Sequence, residues 1–369
     1  MHASIAGHIT AMKIETYSSQ VVSLPREVGA LDEAPVQVSV DFVTLRLKTD
    51  EGAEGIGYAG FAAPVMTKAL KEAVDALAAQ VIGDDPMRTE AIGEKLLEIG
   101  GRGAAAGLVT RAVSAIDVAL WDLKGKILGQ PVWKLLGGFR NRVPAYASGH
   151  LWRTYDADAL ARKGAELVEQ GFRAMKFRMG AEASNIAEME RMHALCDAVG
   201  DEIDIMVDIN QGWDVNRSIT MGREMEICGL YWLEDPINYQ DFDGLARIAD
   251  ALDTPIAAGE YLWGVEPFRS FLDRHSVDIV MVDIMRVGGL TQWMKVAHMA
   301  QAWNLPVVSH LAPDILAPAV AAVPNGLFVE HMPWSLPLFR EELRLENGEI
   351  VLDDAPGLGL EFDERWLTS

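Results

Sequence analysis

The residues able to do chemistry in this chain stand where short apolar runs end. AMKFRM carries Lys176 and Arg178, MVDINQGW carries Asp208 and Asn210, YWLEDP carries Glu234 and Asp235, and IAAGE ends on Glu260. VMVDIM then supplies Asp283, VVSHL supplies His310, FVEHM supplies Glu330 and YASGH supplies His150. Taken singly, Asp208 or Glu260 suits a solvated loop or a helix N-cap. In series they read as one site. Asp208, Glu234 and Glu260 converging without a cation would repel one another, and an all-oxygen ligand set favours Mg2+. Asp283 bonded to His310 would fix the imidazole tautomer and raise its basicity, making an acid/base dyad. Glu330 is expected to stay protonated and to donate a hydrogen bond to developing negative charge. Lys176 and Arg178, two apart on a strand, share one face. A solvated basic face is the ordinary reading of that spacing, and a cationic pair inside the site is the alternative.

These residues need a frame that brings strand ends together. From Pro144 onward, short apolar runs alternate with amphipathic helical patterns down to LFVEHM, giving eight strands at βα spacing. That alternation predicts a parallel α/β barrel with its site at the C-terminal ends of the strands. No GxGxxG opens a first helix, which disfavours a doubly wound dinucleotide fold. Ahead of the barrel, residues 12 to about 61 read as strands, with VVSLPREVGALDEAP as a mobile loop between the first two. TKALKEAVDALAAQVI, TEAIGEKLLEI and VTRAVSAIDVALWDLKGKILG read as helices, the last stopping at Gly129 with Pro131 beyond. The segment 335–369 reads as short strands and turns expected to return to the N-terminal unit.

Composition limits the partners. The chain has 369 residues, half of them hydrophobic, with a formal net charge of -22. Such a surface repels nucleic acid and anionic lipid, so neither is expected as a partner. Cys196 and Cys228 are the only cysteines and are expected to be buried free thiols, which suits a reducing compartment. The N-terminus has no charged region ahead of an apolar core, and no apolar run approaches a membrane span. A cytoplasmic location is the expectation.

The strand-end residues in this order, together with AIDVALWDLKGKILGQPVWKLLGG at the barrel entrance, resemble the enolase superfamily and specifically its mandelate racemase subgroup. The resemblance covers almost the whole chain. It implies a modified (β/α)7β TIM barrel over 141–334, an N-terminal α+β capping domain over 1–140, and a C-terminal segment over 335–369 that completes the cap. It implies Mg2+ on Asp208, Glu234 and Glu260, the dyad of His310 and Asp283, and Glu330 as electrophile. The shared chemistry is Mg2+-assisted abstraction of a proton α to a carboxylate, giving an enediolate. A homo-oligomer is the family-based expectation.

One departure ranks the reactions. The subgroup usually has Lys-x-Lys on the second strand, where this chain has Lys176-x-Arg178. Arg is effectively always protonated, so Arg178 is a poor base and a good clamp for a carboxylate. Lys176 becomes a base only if Arg178 lowers its pKa by like-charge repulsion. A racemase needs a base on each face of the carbon, whereas β-elimination runs from His310 alone. An acid-sugar dehydratase acting on an aldonate or aldarate is therefore ranked first. A racemase or epimerase of a 2-substituted carboxylate is second, and a catalytically silent binding relative third. A glycosidase pair of Glu234 and Asp235 is discounted, because strand neighbours point apart. Tyr17, Arg26, Phe61, His150, Trp152 and Asn210 are the candidate contacts to a small carboxylate substrate.

Overall fold

The computed structural model describes residues 12–28, 36–101, 106–182 and 184–367. The chain opens with an antiparallel sheet of β1 (Ile14–Val28), β2 (Val36–Thr49) and β3 (Glu54–Gly60), in that order. Alternation along β2 gives the sheet two buried faces. Val40 and Phe42 join the barrel-side core, while Val43, Leu45 and Leu47 pack under the cap helices. Those helices are α1 (Thr67–Ala78), α2 (Thr89–Ile99) and α3 (Gly107–Leu128), followed by the short α4 (Val132–Leu136). Helix α3 lies so close to β3 that a Cβ at Gly57 would stand 2.2 Å from the Ala115 carbonyl oxygen, which explains the glycine. Helix α3 ends at Gly129 in the left-handed conformation, φ 62°.

The loop expected from residue 21 is a strand as far as Val28, paired with β2 through to Val36. Val22 and Leu24 alternate inward beneath the turn-like composition, and Pro25 is tolerated because β1 is an edge strand. The remainder of that loop, 29–35, lies outside the described residues, as do residues 1–11.

The barrel strands alternate with helices: β4 (Arg142–Leu151), α5 (Ala157–Glu169), β5 (Ala174–Arg178), α6 (Asn185–Val199), β6 (Asp204–Asp208), α7 (Val215–Met225), β7 (Trp232–Glu234) and α8 (Phe242–Ala251). They continue as β8 (Ile256–Ala258), α9 (Glu266–Asp273), β9 (Ile279–Asp283), α10 (Ile284–Val287), α11 (Leu290–Ala302), β10 (Val307–His310), α12 (Pro313–Ala322) and β11 (Val329–His331). Neighbouring strands pair in parallel from β4 to β10, and β11 pairs with β4, closing the ring. Asp156, Ser184, Asp214 and Asp241 cap α5 to α8 through their side chains, so each crossover helix starts at a fixed point. Inside the barrel, Tyr146, Met206, Trp232, Met281, Val308 and Phe328 fill the lower layers.

The C-terminal segment does two jobs. Strands β12 (Leu345–Glu346) and β13 (Glu349–Val351) form a hairpin whose second strand adds antiparallel to β4. Farther on, the Leu358 amide donates to Asp122 of α3, and Glu364 pairs with Arg46 of β2, reaching the cap. Cys196 and Cys228 are free but only half-buried, because both lie on the outer helical layer rather than inside the barrel. Among the described residues no helix is long and apolar enough to cross a membrane.

One buried polar group ties cap, barrel and tail together. The Tyr58 hydroxyl of β3 donates to Asp314 Oδ2 of α12 at 2.9 Å, and Ser335 donates to Oδ1 at 2.5 Å. Burial raises the Asp314 carboxyl to about 6, against the lowering effect of these two donors. Tyr58→Phe removes one of them. Above pH 6 the carboxylate then loses a charge-assisted bond, so we expect a loss of roughly 1.5–3 kcal/mol at pH 8. At pH 5 the protonated carboxyl has less need of the donor, and the loss is smaller. Urea midpoints of both proteins at the two pH values check this.

Candidate active site

Lys176 stands at the centre of the mouth, only 2% exposed. Its Nζ lies 2.7 Å from Glu234 Oε1, 2.8 Å from Glu330 Oε1 and 3.9 Å from Asp208 Oδ2. Beneath it lies the Tyr146 ring, 5.6 Å away, and the Trp232 indole N–H donates to Glu234 Oε2 at 3.1 Å. Burial alone would lower the Lys176 pKa, but Glu234 and Glu330 outweigh it and raise the value well above that of an ordinary lysine. Carboxylates, not the Arg178 guanidinium, dominate its surroundings, so the balance here runs opposite to the like-charge lowering expected from Arg178.

Arg178, next along β5, turns its guanidinium to Asp208 Oδ2 at 2.8 Å and lies over the Trp152 ring at 5.3 Å. Its pKa is raised by Asp208 and Glu330 against the lowering effect of burial. It is a fixed cation. The two cations of AMKFRMG thus share the inward face, and the solvated-face reading is excluded. Phe177 between them points outward into the packing with α6.

Across the mouth, His310 joins two carboxylates. Its Nδ1 lies 2.7 Å from Asp283 Oδ2, and its Nε2 lies 2.9 Å from Glu260 Oε2. Burial would lower the imidazole pKa, but Glu260 and Asp283 overcome it and raise the value to about 10. Asp283 also accepts from the Met285 and Arg286 amides at 2.8 Å, so it caps α10 as well as orienting the ring. The Arg286 guanidinium reaches the Glu260 carbonyl at 2.8 Å and stacks on Tyr261.

Glu330 differs from expectation. It accepts hydrogen bonds from Ser148 Oγ at 2.7 Å and from the Leu311 amide at 2.6 Å, besides pairing with Lys176. Burial favours the neutral acid, but Lys176 and His310 hold the carboxyl down to about 2. In this arrangement it is an ionised acceptor, not a protonated donor.

The other candidate residues divide. Phe61, Trp152 and Asn210 stand at the mouth. Phe61 packs at 6.2 Å from Trp334, Trp152 stacks on Trp334 at 6.3 Å, and the Asn210 amide donates to the Tyr261 hydroxyl at 2.6 Å. His150 lies at the end of β4, half-buried, with its pKa lowered by burial and by Lys163. Tyr17 packs against the core of the cap instead. Arg26 lies on β1, and its side chain is outside the described residues. Ser148, Arg286 and Trp334 complete the mouth without a place among the expected site residues, and so does Asp235, which was named at its strand end and weighed only in the discounted glycosidase pair. Ser148 was visible only as the serine of YASGH. Trp334, beyond the last strand, carries no local signal.

Asp235 bears on the metal question. It sits just past β7 with φ 41°, so it escapes strand alternation and does not point away from Glu234's surroundings as an extended neighbour would. Both its carboxylate oxygens are buried with no hydrogen-bond partner, and burial together with Glu260 and Glu234 raises its pKa well above the ordinary value. Among the described residues no three ligating side chains stand in coordinating geometry; Glu234, Asp208 and Glu260 are paired instead with Lys176, Arg178 and His310. The donor set nevertheless fits a hard divalent cation. It is all oxygen, buried, over-supplied with negative charge, and it includes orphaned oxygens.

The chain is similar to known proteins along most of its length. Residues 159–366 match the family described as enolase C-terminal domain-like, and residues 26–137 match the mandelate racemase / muconate lactonizing enzyme N-terminal domain. The L-talarate/galactarate dehydratase of Salmonella typhimurium is 33% identical over 89% of this chain and 82% of that protein. The 3,6-anhydro-alpha-L-galactonate cycloisomerase of Streptomyces coelicolor is 33% identical over 95% of this chain and 97% of that protein. The crystal structure of the Salmonella dehydratase with Mg and L-lyxarohydroxamate superposes with a TM-score of 0.92 at 30% identity, covering 100% of this chain and 95% of that one.

The balance of charge around Lys176 is directly testable. Lys176→Met leaves Glu234 and Glu330 buried without their cation. Removing one partner of such a group costs about 3–5 kcal/mol. Urea denaturation of the metal-free protein should show this loss, and a change under about 1 kcal/mol would mean that water reaches the carboxylates.

Proposed function

We propose an acid-sugar dehydratase from one premise: the chain belongs to the mandelate racemase / muconate lactonizing enzyme family of the enolase superfamily. Asp208, Glu234 and Glu260 would hold Mg2+, with Asp235 beside them. The ion would supply Lewis-acid stabilisation of charge gathering on the substrate carboxylate. Arg178 and Lys176 bind that carboxylate from the β5 side. Once Glu260 serves the ion, it would no longer hold the imidazole protonated, and His310, oriented by Asp283, takes the α-proton and returns it to the β-hydroxyl as that group departs. The proton goes from carbon to Nε2 and then to the leaving oxygen, so one imidazole serves both halves of the elimination; the enol that remains takes a proton at C3 and loses its hydroxyl proton to give a 2-keto-3-deoxy acid. Glu330 enters as an acceptor tied to Lys176, Ser148 and the Leu311 amide, and it holds the ammonium in place.

The observation that carries dehydration over racemisation is the charge of the β5 pair. Arg178 stands where the subgroup usually carries a lysine and is a fixed cation, and Lys176 stays paired with Glu330, so no second base faces His310. The relatives named as acid-sugar dehydratases support the same choice. A cytoplasmic location and a homo-oligomeric state are part of this reading.

Proton NMR in heavy water tests it, using Mg2+ and a panel containing galactarate, arabinonate, gluconate and mandelate. Appearance of a 2-keto-3-deoxy acid is the expected result. His310→Asn should slow its formation by about 10²–10⁴-fold. Deuterium entering the α-carbon without loss of water would instead favour the racemase reading and a second base.

A further inference from the structure

The mouth is braced from outside the barrel. Glu188 and Arg191 lie on α6, 0% and 3% exposed, and neither touches the catalytic groups. They form an ion pair at 3.0 Å, with each member also holding one loop of the mouth. Glu188 Oε1 accepts from the Gly180 and Glu182 amides at 2.8 and 2.9 Å, fixing the chain directly after Arg178. Arg191 donates to the Trp152 carbonyl at 3.2 Å and to the Tyr155 carbonyl at 2.8 Å, fixing the chain after β4. Its guanidinium also lies 5.0 Å from the centre of the Phe177 ring, on the outer side of the residue between Lys176 and Arg178.

What this brace holds is an aromatic wall. Trp152 and Trp334 stack with their planes 6° apart, Phe61 of the cap packs on Trp334, and Arg178 lies across Trp152. Phe61 adopts φ 56°, an outlier for a bulky residue, and such strain persists only where the surroundings enforce it. The wall rises from the carboxylate-binding end of the site. A carbon chain held at Arg178 would run beside Trp152 and Trp334.

We propose that Glu188 and Arg191 are positioning residues for this wall, and that Trp334 with Trp152 determines which carbon chain the site accepts. The proposal rests on the dehydratase reading for its substrate class. The brace acts through the Trp152 backbone: with the carbonyl fixed, the indole stays placed to stack on Trp334 and to lie under the Arg178 guanidinium.

The test combines a spectroscopic signature with kinetics on the full chain. Fluorotryptophan-labelled protein is observed by fluorine NMR with Mg2+ present, the Trp152 and Trp334 signals being assigned with W152F and W334F. R191Q should shift both signals and raise the KM for the acid sugar that the panel identifies by about tenfold while kcat stays within about twofold. R191K, which keeps the charge but not the planar fork, should fall between R191Q and wild type. E188Q, which leaves both Arg191 carbonyl bonds in place, supplies a second variant should R191Q fail to fold, and it should move the same signals less. Unmoved Trp152 and Trp334 signals in the folded variants overturn the proposal, as do moved signals with an unchanged KM. Wild-type silence toward every acid sugar of the panel counts against the dehydratase reading alone, and the brace then stands or falls on the Trp152 signal, which requires no turnover.

Discussion

Everything at the mouth depends on one constraint: buried carboxylates must be compensated. Asp208, Glu234, Glu260, Asp283 and Glu330 are each 4% exposed or less. Water cannot screen them there, so cations or hydrogen-bond donors have to. Lys176 serves two of them directly, Arg178 one, and His310 two. The barrel makes this possible because successive strands end at one ring, which sets side chains far apart in sequence within salt-bridge distance. Asp235 is the group this arrangement leaves uncompensated, and a divalent ion beside it would complete the balance.

The same constraint explains what was legible in the sequence. Strand alternation and the repeated βα pattern located the inward residues, since those signals are local and periodic. Lys176, Asp208, Glu234, Glu260, Asp283, His310 and Glu330 all follow from reading the last positions of apolar runs. Protonation states did not follow. Whether Glu330 is an acid or a carboxylate, and whether Lys176 is a base or a cation, depends on distances between side chains 58 to 182 positions apart in the chain. The upper half of β1 was hidden for a different reason. An edge strand tolerates Pro25 and polar residues, so its composition imitates a loop.

The residues least visible in advance are those that act on others. Glu188 and Arg191 sit inside a helix whose sequence does not mark them as buried, and Trp334 follows the last strand in an irregular stretch. Their meaning lies in what they hold: two loop backbones in one case, and a ring stacked across the mouth in the other. The cap contributes in the same manner. Its sheet gives one face to the barrel and the other to α1–α3, so Phe61 reaches the mouth from a unit with a core of its own.

The packed floor of the barrel has a consequence for the fate of the abstracted hydrogen. Tyr146, Trp232 and Phe328 pack edge to face below Lys176 and Glu234 and fill the barrel beneath them. Exchange with bulk solvent of a proton held on the imidazole is hindered from below, and a bound molecule would hinder it from above. The hydrogen lost from carbon would therefore leave within the departing water more often than a freely exchanging base would allow.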